Sequence, residues 1–104
     1  MIIQIVRWDI NPDKVQAYEA WAQAAVPRLA AIAGPIKLGA YRPIIGSSQV
    51  VTLYEFADLT AWAMWSTNAE VQAITSERRA FTLNEISELW GESPIVPEPV
   101  HSLK

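Results

Sequence analysis

Ile2-Ile3-Gln4-Ile5-Val6-Arg7-Trp8-Asp9-Ile10-Asn11-Pro12-Asp13 is the stretch on which the fold turns. Its first nine residues are rich in β-branched and aromatic types and too few for a helix of their own, so they predict a strand. The next three predict a helix start. Asn11 can cap it, Pro12 suits the first helical position, where a missing N–H costs nothing, and Asp13 complements the positive end of the helix dipole. Val15, Tyr18, Ala22, Ala25, Leu29 and Ile32 then recur at three- and four-residue spacing, an apolar stripe that ends at Gly34-Pro35. Pro27 falls inside this helix and is expected to kink it.

Working outward, strands over 36–44 and 49–56 flank Gly46-Ser47-Ser48, a turn short enough to make them an antiparallel hairpin. Asp58 caps the helical segment 59–79. That segment should break, because Thr67-Asn68-Ala69-Glu70 has the Thr-x-x-Glu form of a capping box and announces a fresh helix start. Residues 82–90 supply a fourth strand, and Gly91 ends it. The order β-α-β-β-α-β defines an α+β, ferredoxin-like domain over 1–91: a four-stranded antiparallel sheet with its helices on one face. Pro94, Pro97 and Pro99 keep 92–104 out of helices and central strands, as an extended tail.

A sheet with one wet face should alternate apolar and polar residues. Here Ile3 and Ile5 oppose Ile2, Val6 and Trp8, and Val51 and Leu53 oppose Val50, Tyr54 and Phe56. Both faces are apolar, which predicts that a second copy covers the face the helices leave open, making a homodimer through the sheet.

The chain has 104 residues, no cysteine and a net charge of −3. One domain of this size buries roughly two thirds of the surface its unfolded chain exposes and needs no staples. Without cysteine there is no disulfide framework or thiolate metal site. The N-terminus lacks a signal-peptide pattern and no apolar run is long enough to span a bilayer, so a cytoplasmic protein without membrane insertion is expected. The acidic balance argues against a nucleic-acid surface, and Val50-Val51-Thr52-Leu53-Tyr54-Glu55-Phe56 lacks the basic, stacking pattern of RNA-binding sheets. Five tryptophans are many for so small a core; some should line something.

The run Ile45-Gly46-Ser47-Ser48-Gln49-Val50-Val51-Thr52-Leu53-Tyr54-Glu55-Phe56-Ala57-Asp58-Leu59, with the Trp-rich helix and Asn68-Ala69-Glu70-Val71-Gln72 after it, resembles the central segment of NIPSNAP-like proteins. These belong to the dimeric α/β-barrel superfamily, together with the antibiotic-biosynthesis monooxygenases. The resemblance implies a back-to-back sheet dimer and a cavity between the second helix and the sheet. Enzymes of the superfamily often carry a histidine on or after that helix; Ala61-Trp62-Ala63-Met64-Trp65-Ser66-Thr67-Asn68-Ala69-Glu70 has none, which argues against haem chemistry. Relatives that oxidise aromatic polyketides without metal or cofactor use Trp, Asn, Tyr and Arg side chains, for which Trp65, Asn68, Tyr54 and Arg7 are the nearest matches.

The candidate catalytic residues are Arg7, Tyr54 and Glu55, and the candidate substrate-binding residues Trp62, Trp65 and Asn68. Each has a plainer reading. Trp62 and Trp65 share a helical face and could wall an aromatic ligand, though core filling for a small domain is the preferred account. Arg7 could hold a substrate oxygen, but a salt bridge to Glu55 or Glu88 is the simpler fate. Tyr54 and Glu55 point to opposite faces, so only one can enter a given cavity. Asn68 fits a first helical turn. His101, the sole histidine, cannot build a metal site alone. No metal or cofactor is expected. The chain thus reads as a cofactor-independent monooxygenase or isomerase acting on a small apolar or aromatic metabolite, with a non-catalytic ligand-binding or structural homodimer as the alternative.

Overall fold

The computed structural model describes residues 1–102. Its elements are β1 (Ile2–Ile10), a single 3-10 turn (Pro12–Lys14), α1 (Val15–Ala30), β2 (Lys37–Tyr41), β3 (Val50–Phe56), α2 (Leu59–Ser66), α3 (Ala69–Arg78) and β4 (Thr82–Trp90). The strands form one antiparallel sheet in the order β2-β3-β1-β4, the ferredoxin-like arrangement expected.

Caps set the helix starts. The Asn11 carboxamide accepts from the Asp13 N–H at 3.0 Å, and the Asp58 carboxylate from the Ala61 N–H at 2.8 Å. At the step between α2 and α3 the expected capping box does not form. Asn68 is the cap, accepting from the Glu70 and Val71 N–H groups at 2.8 and 3.2 Å. Thr67 instead donates back to the Ala63 carbonyl at 2.8 Å, and the Glu70 carboxylate turns to Arg28. A guanidinium is a stronger partner for that carboxylate than a backbone N–H, and asparagine is at least as good a cap as threonine.

The β2–β3 pairing is antiparallel, running from Lys37 opposite Glu55 to Tyr41 opposite Val51. The connection is not the tight turn expected, because β2 stops before Arg42-Pro43, where proline has no N–H to give the ladder. Residues 42–49 form an open loop with Ile44 and Ile45 98% and 94% exposed. Pro27 lies inside α1, which nevertheless continues to Ala30.

Register sorts the sheet into two faces. Gln4 opposes Tyr54, Val6 opposes Thr52 and Trp8 opposes Val50 on the face under the helices. Ile3 opposite Glu55, Ile5 opposite Leu53 and Arg7 opposite Val51 lie on the other face, joined by Ile86 and Trp90 of β4. Along β4 the register slips between Arg7 and Asp9, so one extra residue is accommodated near Asn84. Asn84 adopts φ 57°, and its side-chain amide donates to Asp9 Oδ2 at 3.0 Å. The slip leaves Leu83 beside Asp9 on the outer face, while Glu85, in step with Ser87, lies beneath the helices.

The core lies between the helices and the inner face. Phe56 is fully enclosed, with Val6, Trp8, Tyr18, Tyr54, Trp65 and Val71 around it. Gly34, at φ 148°, lies against Trp65, where a Cβ would come within 3.2 Å of the indole. Across the helical layer, Arg28 of α1 binds Glu70 and Glu77 of α3, and the Trp21 indole N–H also donates to Glu77 at 3.1 Å. These contacts pair the start of α3 with the end of α1, so the two helices run antiparallel.

No helix or strand follows Trp90 among the described residues. The N-terminal ammonium pairs with Glu92, tying the beginning of the tail to the beginning of β1. Among the described residues no helix is long and apolar enough to cross a membrane.

Candidate active site

Between the helices and the inner sheet face lies a cavity of about 620 Å³. Its floor includes Val6, Trp8, Thr52 and Tyr54; α1 contributes Tyr18, Ala22, Ala25 and Leu29, α3 contributes Val71, Ile74 and Arg78, and Trp65 closes one end. The small residues of α1 matter here: alanine at 22 and 25 leaves room that a larger core residue would take up. The volume is in the range of small-molecule sites, roughly 300–1,000 Å³.

The polar groups in this apolar chamber are few and connected. The Trp8 indole N–H donates to the Tyr18 hydroxyl at 3.1 Å. That bond uses the Tyr18 oxygen as acceptor and leaves its O–H able to donate. Arg78, only 7% exposed, stacks over Trp8 with its guanidinium carbon 4.4 Å from the ring centre, a cation–π arrangement. Its Nη2 donates to Glu85, while its Nε is buried without an acceptor. Glu85 also accepts two bonds from Arg79, at 3.3 and 3.1 Å. Tyr54 leans on Trp65 with ring centres 5.7 Å apart.

Electrostatics follow from these contacts. Burial pushes the Tyr18 and Tyr54 phenols above the ordinary tyrosine range, although Arg78 pulls both the other way. Both are neutral donors at pH 7. For Glu85, burial works to raise the carboxyl, but Arg79 and then Arg78 outweigh it and hold it below the usual range. It is an ionised counter-charge and a poor base.

The six residues singled out from the sequence do not assemble in one place. Tyr54 and Trp65 line the cavity. Trp62 does not; it packs against the core, its indole N–H buried without a partner. Asn68 is occupied as the α3 cap. Arg7 and Glu55 lie on the outer sheet face, where Arg7 pairs with Glu88 at 3.3 Å and borders a second hollow of about 420 Å³ beneath the 42–49 loop. Strand alternation is the reason: Arg7 and Trp8 cannot both face the helices.

Four residues of the site were not anticipated: Trp8, Tyr18, Arg78 and Glu85. Arg78 carried a readable signal, since Val71, Ile74 and Arg78 share one helical face and the cation sits on its apolar side. Glu85 carried none, because its place opposite Trp8 follows from how β4 pairs with β1, which the residues of β4 do not announce. Among the described residues, no group of three His, Cys, Asp or Glu side chains is placed to hold a metal ion.

Fold and cavity together define a ferredoxin-like domain of the dimeric α/β-barrel fold with a ligand-sized chamber beneath its helices. The chain belongs to the antibiotic biosynthesis monooxygenase family, whose model matches residues 1–76. A crystal structure of an antibiotic biosynthesis monooxygenase superposes with a TM-score of 0.73 at 13% identity, covering 90% of this chain and 100% of the other. A variant of SnoaB, a cofactor-independent oxygenase from Streptomyces nogalater, superposes with a TM-score of 0.70 at 13% identity over 93% and 97%. A dimeric protein of unknown function with a ferredoxin-like fold, from Bacteroides fragilis, gives 0.67 at 14% identity over 86% and 93%. No curated protein matches the chain by sequence.

Proposed function

We propose that this monooxygenase-like protein is a cofactor-independent oxygenase of a small aromatic metabolite, working as a homodimer joined through the outer sheet faces. The observation that carries the reading is the 620 Å³ chamber, apolar and aromatic on most sides and supplied with two neutral phenols and one buried guanidinium. Kinship with SnoaB-type oxygenases supports it, and the NIPSNAP-like run at 45–59 belongs to the same reading.

The chemistry suited to such a chamber is oxidation of an acidic methylene flanked by aromatic rings. The methylene becomes a carbonyl, one atom of dioxygen enters the product, and the other leaves as water with both methylene hydrogens. Carbon supplies all four electrons, so no external reductant is required. As the methylene loses its first proton to solvent water, negative charge moves to the ring oxygen. Tyr18 and Tyr54 are placed to donate to that oxygen, and Arg78 lowers the energy of the charge from the Trp8 side. Trp65 and the alanine face of α1 hold the rings and exclude water.

One observation favours binding without catalysis: no group lining the cavity is an available base, because Tyr18 and Tyr54 stay protonated and Glu85 is locked between two arginines. Dioxygen uptake with 1,8-dihydroxyanthrone as substrate separates the two. Uptake stoichiometric with quinone formation, and lost in Tyr54→Phe, establishes the oxygenase; saturable binding with uptake no faster than without protein establishes the binder.

A further inference from the structure

The cavity has a polarity along its length. Because α1 and α3 run antiparallel, Tyr18 lies near the end of α3 and Leu29 near its start. Trp8, Tyr18, Arg78 and Glu85 therefore gather at one end, and Leu29, Trp65 and Val71 at the other. Arg79, which also lines the polar end, is 62% exposed, so that end is the wet one. Two guanidiniums share the single Glu85 carboxylate there, leaving one positive charge in excess.

That excess is costly as it stands. Arg78 is more than nine-tenths buried, Glu85 engages only its Nη2, and its Nε meets no acceptor among the described residues. A guanidinium presents five N–H donors in a fixed fork that matches a planar anion, and a buried one left partly unpaired is offset when such an anion arrives. The Trp8 ring under the guanidinium, with Glu85 on its Nη2, holds the cation in the cavity wall.

We infer that the ligand of this cavity is an amphiphilic aromatic acid, its carboxylate or equivalent anionic head on Arg78 at the Trp8 end and its rings running toward Trp65. This deepens the reading of the cavity as the substrate site and holds whether or not oxidation follows.

Two fluorescent probes with one ring skeleton test it: 1-anilinonaphthalene-8-sulfonate, which carries an anionic head, and N-phenyl-1-naphthylamine, which lacks it. The intact protein binds the sulfonate tighter by about ten-fold or more, the difference one charge-assisted contact makes. Arg78→Met removes that advantage, so that the two probes bind that variant with equal affinity. Glu85→Gln widens it, because the excess charge rises. Equal affinity for the two probes in the intact protein overturns the anionic anchor while leaving an apolar binding site; no binding of either overturns the cavity reading as well. A sulfonate preference that survives Arg78→Met places the anion elsewhere and also overturns it. Should Arg78→Met not fold, Glu85→Gln decides alone: a larger ratio of sulfonate to neutral-probe affinity supports the anchor, and an unchanged ratio refutes it.

Discussion

The guanidinium of Arg78 lies over Trp8, 4.4 Å from its ring centre, while the N–H of that same indole donates to Tyr18. One tryptophan thus orients both a cation and a phenol. Trp8→Phe keeps an aromatic face but loses the N–H and the larger ring. We expect a stability loss of about 1–2 kcal/mol, from one buried hydrogen bond and a weaker cation–π contact. A urea midpoint unchanged from the parent would show that neither contact matters to the fold.

Tyr54 has a different role. It is buried, it leans on Trp65, and its hydroxyl has the Thr52 side chain as a single hydrogen-bonding neighbour to lose. Tyr54→Phe should therefore change stability by less than about 1 kcal/mol while lowering turnover on the anthrone by about ten- to a hundred-fold, the range for one lost donor to a developing oxyanion. Equal turnover in the two proteins would remove Tyr54 from the chemistry.

Gly34 offers a test of packing. A Cβ there meets the Trp65 indole at 3.2 Å, and φ 148° is unfavourable to any residue with a side chain. Gly34→Ala is expected to cost about 1–3 kcal/mol in urea unfolding and to shift the Trp65 fluorescence maximum. Wild-type stability in this variant would mean that the loop moves aside freely.

The clamp between α1 and α3 predicts a pH dependence. Arg28, with help from the Trp21 N–H, holds the Glu77 carboxyl at about 2 against an ordinary 4.5. A lowered folded-state value means that the pair contributes stability above about pH 4.5 and loses it as pH falls toward 2. Glu77→Gln should lower the urea midpoint at pH 7 and match the parent below pH 2. Both side chains are well exposed, so 1 M salt should shrink the difference at neutral pH. A gap that persists at pH 2 would assign the effect to packing.

On the outer sheet face, Leu53 sits opposite Ile5, with Ile3, Val51, Ile86 and Trp90 on the same surface. If a second copy covers it, Leu53→Asp buries a charge at the interface and should convert the dimer to a monomer in analytical ultracentrifugation. A parent protein that sediments as a monomer at all concentrations would dispose of the sheet-to-sheet dimer.

Most of the fold was legible because its signals are local. Asn11 and Asp58 announce helix starts through their own side chains, and 82–90 reads as a strand from composition. The errors have equally local causes. Thr67 and Asn68 are adjacent cap formers, and the choice between them fell to Arg28, forty residues away, when it drew Glu70 off. The site was far less legible. Arg7 is conspicuous in an apolar strand yet faces outward, whereas Trp8 beside it, which lines the cavity, looks like ordinary core. Arg78 is disguised by Arg79: two adjacent arginines read as surface charge until the helix separates them into one buried and one exposed.

The extra residue in β4 reverses which side of the sheet each half of that strand presents. Thr82, whose hydroxyl donates to the Arg78 carbonyl at 3.1 Å, depends on that reversal to face the same side as Glu85, and Asn84 holds it through Asp9. Length is therefore not interchangeable along this chain. Descendants can gain or lose residues in the exposed 42–49 loop and keep the site, whereas deleting one residue at Asn84 would rotate the start of β4 by half a turn and carry Thr82 away from the Arg78 carbonyl.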